Sequence, residues 1–342
     1  MTIRRTAVTA CVTLAIAAAA ALSVVGTSPA ASTKKAASLK TVNMVQDWPT
    51  PWVGWIPWVV ADAKGYFAQQ GIKLAIRVPP TAADPIKFIS AGRADVAFTT
   101  SLDVVLAKQQ SAPVMEIGAY TQFNNWGLVF PQGKPATIAS LKGKKIGIYP
   151  DAWTKVQLSL MLASAGMKLS DVTLVTTPND TAPLLIAKKI DAATGITNAE
   201  ETEVQVTGKQ KPTMVLGKDH GVPNSYVQVI AANSGWLTKN TTLAAGFMKA
   251  VKQGTAYALA HPAEALAIFT KKYPKALPAD YAKASWTNTM PLFSSAQTKQ
   301  HGLYWNDAKV WSNLLPVLKK QGLITKTIAP GSIWTNAYLG AK

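Results

Sequence analysis

The feature that most constrains this chain is a segment used twice. Residues 68–100 contain Gly71-Ile72-Lys73-Leu74, Ala83-Asp84-Pro85 and Ile89-Ser90-Ala91-Gly92-Arg93-Ala94-Asp95-Val96-Ala97. Residues 163–197 contain Gly166-Met167-Lys168-Leu169, Thr181-Ala182-Pro183 and Ile186-Ala187-Lys188-Lys189-Ile190-Asp191-Ala192-Ala193. The glycine-to-aspartate spacing is 24 in the first (Gly71 to Asp95) and 25 in the second (Gly166 to Asp191), as expected of one supersecondary unit used twice. Each copy reads as a glycine-capped helix end, a β-rich strand (74–78; 172–176), a proline-bearing turn into a helix, and a short apolar strand (96–99; 192–196). A further strand and helix precede each copy, at 41–46 with 57–69 and at 145–149 with 152–164. Alternating strands and helices predict an α/β fold of mostly parallel sheets covered on both faces. With one copy per lobe, the molecule is expected to be two-lobed.

The ends of the chain read differently. Arg4 and Arg5, an apolar alanine-rich run over 7–25, and Ser28-Pro29-Ala30 form an export signal over residues 1–30, so the protein is expected to be extracytoplasmic. A membrane anchor is the competing reading, because the run approaches the roughly 18 residues needed to span. Cys11, the single cysteine, lies too early for a good lipoprotein box. Beyond the signal no disulfide, cysteine nucleophile or thiolate metal site is possible. The remaining 312 residues suit two domains, expected as lobe I (39–127 plus 231–342) and lobe II (128–230), with a two-strand hinge near 126–130 and 227–231. Helical patterns over 242–260, 262–272 and 307–321 are expected to pack on the first lobe.

Without Arg4 and Arg5, 33 of the 35 lysines and arginines face 17 acids, leaving +16. No basic block carries interleaved aromatics, so a solvated basic surface is expected, without a nucleic-acid partner. In open α/β sheets ligands lie at the carboxyl ends of strands, which directs attention to four loops. The first is Asp47-Trp48-Pro49-Thr50-Pro51-Trp52-Val53-Gly54-Trp55, and the others hold Thr99, Thr100 and Ser101, then Tyr149 and Trp153, then Asn198, Glu200 and Glu201. Trp48, Trp52 and Trp55 offer flat indole surfaces to a planar ligand, whereas Trp58 suits the core beneath the next helix. Tyr149 and Trp153 fit either role, and Trp126 either faces the ligand or plugs the hinge. Asp47 and Glu200 suit ligand amino groups or helix starts; Thr99, Thr100 and Ser101 suit N-caps or ligand donors. The chain beyond residue 30 has only two arginines, Arg77 and Arg93, which counts against an oxyanion ligand. It has no G-x-S-x-G, P-loop, G-x-G-x-x-G or H-E-x-x-H, and His220, His261 and His301 are isolated. The expectation is a binding protein, not an enzyme, with no cofactor or metal.

Ala61-Asp62-Ala63-Lys64-Gly65-Tyr66-Phe67-Ala68-Gln69-Gln70-Gly71-Ile72, Ser90-Ala91-Gly92-Arg93-Ala94-Asp95-Val96-Ala97 and Leu141-Lys142-Gly143-Lys144-Lys145-Ile146-Gly147 closely resemble solute-binding proteins of ABC importers. The likeness runs from about Thr41 to Leu339 and is to the NMT1-like branch that takes up thiamine pyrimidine precursors, with riboflavin, nitrate, taurine and alkanesulfonate binders as relatives. It implies a type II periplasmic-binding-protein architecture, a monomer that closes on a small-molecule ligand, and permease and ATPase partners. It implies too that the Asp47-Trp48 loop faces ligand. The branch usually continues with an Asn and a His; here Thr50-Pro51-Trp52-Val53-Gly54-Trp55 has neither, which points to a larger or more apolar aromatic ligand. The alternatives are an alkanesulfonate, taurine or nitrate binder held at helix N-termini near Thr99 to Ser101, an extracellular sensor module, and, through a further resemblance, a thiamine-pyrimidine synthase.

Overall fold

Among the described residues ten strands build two five-stranded sheets: β1 (Lys40–Val45), β2 (Ile72–Arg77), β3 (Val96–Thr100), β4 (Val114–Ala119), β5 (Trp126–Phe130), β6 (Lys145–Ile148), β7 (Thr173–Thr176), β8 (Ala192–Ile196), β9 (Thr213–Leu216) and β10 (Gln228–Asn233). The computed structural model describes residues 38–177 and 180–340; the export segment expected at 1–30, with Cys11, lies outside them. The sheet orders are β2-β1-β3-β10-β4 and β7-β6-β8-β5-β9. β1 pairs in parallel with β2 and β3, and β6 with β7 and β8, so the twice-used segment is one topology built twice. One strand in each sheet runs against its neighbours: β10 between β3 and β4, β5 between β8 and β9. In both cases it is the strand that has just arrived from the other lobe.

The repeated aspartates have a shared task. Asp95 accepts from Asn43 N at 2.8 Å and returns its own N–H to Asn43 O at 2.9 Å; Asp191 does the same with Lys145 N at 2.8 Å and Lys145 O at 2.7 Å. Each aspartate thereby clasps the strand beside its own, satisfying backbone groups at the start of the parallel ladder. The glycines that set the spacing, Gly71 and Gly166, both adopt φ +71°, the left-handed turn that glycine makes without a Cβ clash.

The expected hinge is displaced. Trp126 and Gly127, expected in the first lobe, pair with Ile196 and Gly195 of the second sheet, while Gln228 to Ile230, expected in the second, pair with Thr100 to Phe98 of the first. The chain passes between sheets in 120–125 and 217–227, outside both strands. A strand shared between lobes would leave part of its ladder unpaired, and complete strands avoid that penalty.

Two apolar clusters flank the first sheet, one with Trp55, Trp58, Phe98 and Phe247, the other with Leu102, Val105, Trp311 and Leu314. Smaller clusters around Leu128 and Val129 flank the second. Of the helical tail, Thr241–Ala260 and Ala308–Lys320 pack on the first lobe, while Ala279–Thr289 also packs on helix Thr202–Val206 of the second. Helix Thr241–Ala260 lies on helix Ile56–Ala63 at Gly254, where a Cβ would stand 2.1 Å from Pro57 O and 2.9 Å from Ala61 N. Both are backbone atoms, so neither can swing aside. Gly254→Ala is therefore expected to destabilise the fold by about 1–3 kcal/mol, measured as a lower urea midpoint at unchanged slope.

Candidate functional site

The carboxyl ends of β1 and β6 bring the lobes together. Trp48, three residues past β1, meets Tyr149, the residue after β6, edge to face at 6.0 Å and 89°. Trp153, on the second-lobe helix Ala152–Ser164, packs on the first-lobe cluster that holds Leu102. Nearby, Asn124 Nδ2 donates to Gln157 Oε1 at 3.0 Å. Of the aromatic residues expected at the cleft, Trp48, Tyr149 and Trp153 are thus the ones that touch across it.

Asp47 has a different task from the one expected. Its Oδ1 accepts from Trp55 Nε1 at 2.9 Å and Trp52 Nε1 at 3.1 Å, and its Oδ2 from Gln228 Nε2 at 3.2 Å. Burial pushes the carboxyl up to about 6, against the lowering effect of the indole bonds. Its acceptor sites are taken up by the chain, and it orients indoles. Trp52 lies half-buried over Phe98, rings 6.4 Å apart and 19° from parallel. Trp55 is fully buried against Tyr273, a core residue and not a cleft wall. Trp58 is also core, its ring edge on Phe98. Trp126 packs in the second-lobe cluster with Leu128, Ile146 and Val222, because β5 belongs wholly to that sheet.

Thr99, Thr100 and Ser101 serve the first-lobe helix Ser101–Gln109. Thr100 Oγ1 accepts from Asp103 N at 3.1 Å, and Asp103 Oδ2 accepts from Thr99 Oγ1 at 2.9 Å and Thr100 N at 3.3 Å, a capping box with an added hydroxyl. Ser101 Oγ donates to Tyr226 O at 2.6 Å. On the second lobe Asp151 caps helix Ala152–Ser164, accepting from Thr154 N and Thr154 Oγ1, each at 2.7 Å. Burial raises the Asp103 carboxyl, and the charge of Asp151 raises it further. The two helix N-termini that meet here each hold a carboxylate of the chain itself.

Beyond β8 the chain makes a single π-helical turn, Thr197–Glu201, a rare geometry found mostly as single turns and often at functional sites. The turn folds Glu200 back on the strand end, where Oε2 accepts from Ile196 N at 2.7 Å and Oε1 from the Tyr149 hydroxyl. Gly195 makes room, since a Cβ there would stand 2.5 Å from the Glu200 side chain. Burial and the charge of Asp180 push Glu200 up to about 7; burial and the same neighbour push Glu203 to about 7. Asn198 is fully enclosed, accepting from Asn125 Nδ2 at 2.9 Å and donating to Thr289 Oγ1 at 2.9 Å. It joins the segment 120–125, the π turn and helix Ala279–Thr289 and has no free polar atom for a ligand.

Several site residues were missed by the sequence reading. Gln46 is fully buried with neither side-chain amide atom paired, and Gln228 Oε1 is likewise unpaired; both adjoin Asp47, one in sequence and one by hydrogen bond. Asp180 follows β7, a strand end that the same loop rule would have found. Tyr281, raised by burial and by the charges of Glu200, Glu203 and Asp180, comes from the helical tail, where no sequence signal marked it. Arg77 and Arg93 both flank the Phe88 ring, 5.2 and 5.6 Å from its centre. His261 lies against Tyr257 and His301 stacks on Trp305.

Residues 52–265 match the family described as NMT1/THI5 like, and the chain belongs to that family. It is 27% identical over 272 residues to a Haemophilus influenzae protein whose name assigns it to thiamine biosynthesis, covering 79% of this chain and 84% of that one. It is 27% identical over 314 residues to a 4-amino-5-hydroxymethyl-2-methylpyrimidine phosphate synthase of Saccharomyces cerevisiae, covering 88% of each. In fold it is similar to the periplasmic aliphatic sulphonate binding protein SsuA of Escherichia coli, with TM-score 0.69, 17% identity, 89% of this chain covered and 100% of that one. The yeast relative overturns the expectation, drawn from missing motifs, that the chain is not an enzyme: a protein alike along most of its length is named as a synthase. Motif absence is weak evidence in a fold that hosts unrelated activities.

The Glu200 environment has a measurable sign. The folded carboxyl keeps its proton to about pH 7, whereas an ordinary glutamate loses it near 4.5, so between these values the native state binds more protons than the unfolded chain. Stability falls as pH rises through that window and levels off above it. In Glu200→Gln the drop in unfolding free energy from pH 5 to pH 8 is expected to shrink by about 2 kcal/mol, read from urea unfolding at the two pH values.

Proposed function

We propose that the cleft binds a small aromatic heterocycle bearing amino groups, of the pyrimidine thiamine-precursor or flavin kind, and that the protein delivers it as the extracytoplasmic solute-binding component of an ABC importer. The observation that carries this reading is the contact of Trp48 with Tyr149 beside the buried Glu200 carboxyl. Separating the lobes slightly opens a slot between two aromatic side chains, one from each, and closure around a planar ring buries it from water. Glu200, poised near neutrality, suits an amino group or a ring nitrogen that shares a proton with it. Family membership and the pyrimidine named for the yeast relative favour the same ligand class. The fold shared with a sulphonate binder leaves an anion as the alternative, but a sulfonate at the facing helix N-termini meets Asp103 and Asp151, and like charges in a partly buried site repel strongly.

A second reading, pyrimidine synthesis, is favoured by the names of the yeast relatives and by a near-neutral carboxyl bonded to a tyrosine hydroxyl, an arrangement fit for proton transfer. Calorimetric titration of the protein with 4-amino-5-hydroxymethyl-2-methylpyrimidine, riboflavin, taurine and an alkanesulfonate separates these. Binding of a heterocycle is expected, weakened about tenfold or more in Trp48→Ala; binding of sulfonate or taurine alone overturns the reading. Mass spectrometry of a reaction to which no pyrimidine has been added distinguishes synthesis, in which 4-amino-5-hydroxymethyl-2-methylpyrimidine phosphate, the product named for the yeast relative, appears, from carriage, in which it does not.

A further inference from the structure

We propose that the outer end of the second lobe is a docking face for an anionic phospholipid surface, independent of which ligand the cleft takes. β6, β7, β8 and β9 run one way and β5 the other, so the amino ends of four strands and the carboxyl end of β5 share the end of the lobe opposite the cleft. Four connections meet there: 131–145, 166–172, 187–191 and 207–212. Lys145 N donates to Asp191 Oδ2 at 2.8 Å, Gly143 N to Asp171 O at 2.7 Å, and Lys211 N to Gln132 Oε1 at 2.9 Å. These connections carry four, one, two and two lysines, nine together and all exposed. Their two acids, Asp171 and Asp191, are each engaged by a backbone N–H, of Lys168 and of Lys145. Among the described residues none of the nine lysines forms an ion pair. Four other acids of this lobe, Asp151, Asp180, Glu200 and Glu203, stand by the cleft at the opposite end.

Backbone geometry argues that the charge is placed for a purpose. Lys188 and Lys209 adopt φ +57° and +50°, the left-handed region that penalises residues with a Cβ. The equivalent turn of the first copy uses Gly92, φ +67°. Lysine therefore stands at two positions where the fold alone favours glycine.

The composition selects the partner. The four connections contain no arginine and no Phe, Tyr or Trp, whereas nucleic-acid faces rely on arginine forks and stacking rings. Lysines on flexible stems are hydrated point charges, suited to mobile anionic headgroups that rearrange beneath them.

Co-sedimentation of the full chain with phosphatidylcholine vesicles, with and without about one-third phosphatidylglycerol, tests this. Binding is expected to the anionic vesicles alone, and to be lost as NaCl rises from about 50 to 500 mM. The combined variant Lys142→Glu, Lys144→Glu, Lys188→Glu, Lys189→Glu is expected to bind at least about tenfold more weakly. Lys249→Glu, Lys271→Glu, Lys275→Glu, Lys320→Glu, which makes the same change of net charge on the helical tail, is expected to bind as the wild type does. Lys188→Gly with Lys209→Gly, which relaxes the backbone, is expected to weaken sedimentation while holding or raising the melting temperature. Equal loss in both glutamate variants, no binding to anionic vesicles at low salt, or capture of duplex DNA in place of vesicles overturns the proposal.

Discussion

A single carboxylate holds the centre of this molecule. Burying a charge is expensive unless donors surround it, and Asp47 is surrounded by two indole N–H groups and the Gln228 amide. Those three donors come from the tryptophan loop and from β10, the strand that returns from the second lobe, so one acid fixes the first-lobe core, the ends of two strands and the base of the cleft. With Trp52 and Trp55 turned inward to serve it, Trp48 is left as the indole of that loop that reaches the opposite lobe.

Much of the architecture was legible because it is carried by repetition. Gly71 with Asp95 and Gly166 with Asp191 recur at nearly equal spacing because each pair brackets the same succession of strand, helix and left-handed turn (at Gly92 or Lys188), after which the aspartate clasps the neighbouring strand. The cleft was legible only in outline. Four tryptophans within eleven residues are alike in chemistry, and what separates Trp48 from Trp55 is which indole reaches Asp47, a tertiary fact. Asn198 suits a ligand group and the Thr99–Ser101 hydroxyls suit N-caps or ligand donors, and sequence cannot separate these roles, since a polar residue at a strand end looks the same whether it faces solute or Thr289 and Tyr226. Tyr281 was invisible because it arrives from a helix far away in sequence.

The site's chemistry separates fold from ligand. A sulphonate binder shares this architecture at 17% identity, yet here both helix N-termini at the cleft already hold Asp103 and Asp151. A helix N-terminus is a ready anion site, and the chain has filled it with its own anions. The second-lobe side of the cleft is lined with carboxyl groups, Glu200 and Glu203 raised by burial and by the charge of Asp180, and Asp180 itself raised by burial.

The exchange of reversed strands also dictates an order of assembly. The second sheet, β5 to β9, is contiguous over 126–216, but the first lacks its fourth member until β10 has been made. During synthesis the lobe begun first is therefore finished last. Its exposed edges at β3 and β4 wait for a strand more than a hundred residues downstream, a long loop closure that slows folding. The middle of the chain can collapse on its own, and the amino-terminal portion stays incomplete until the second crossing has emerged.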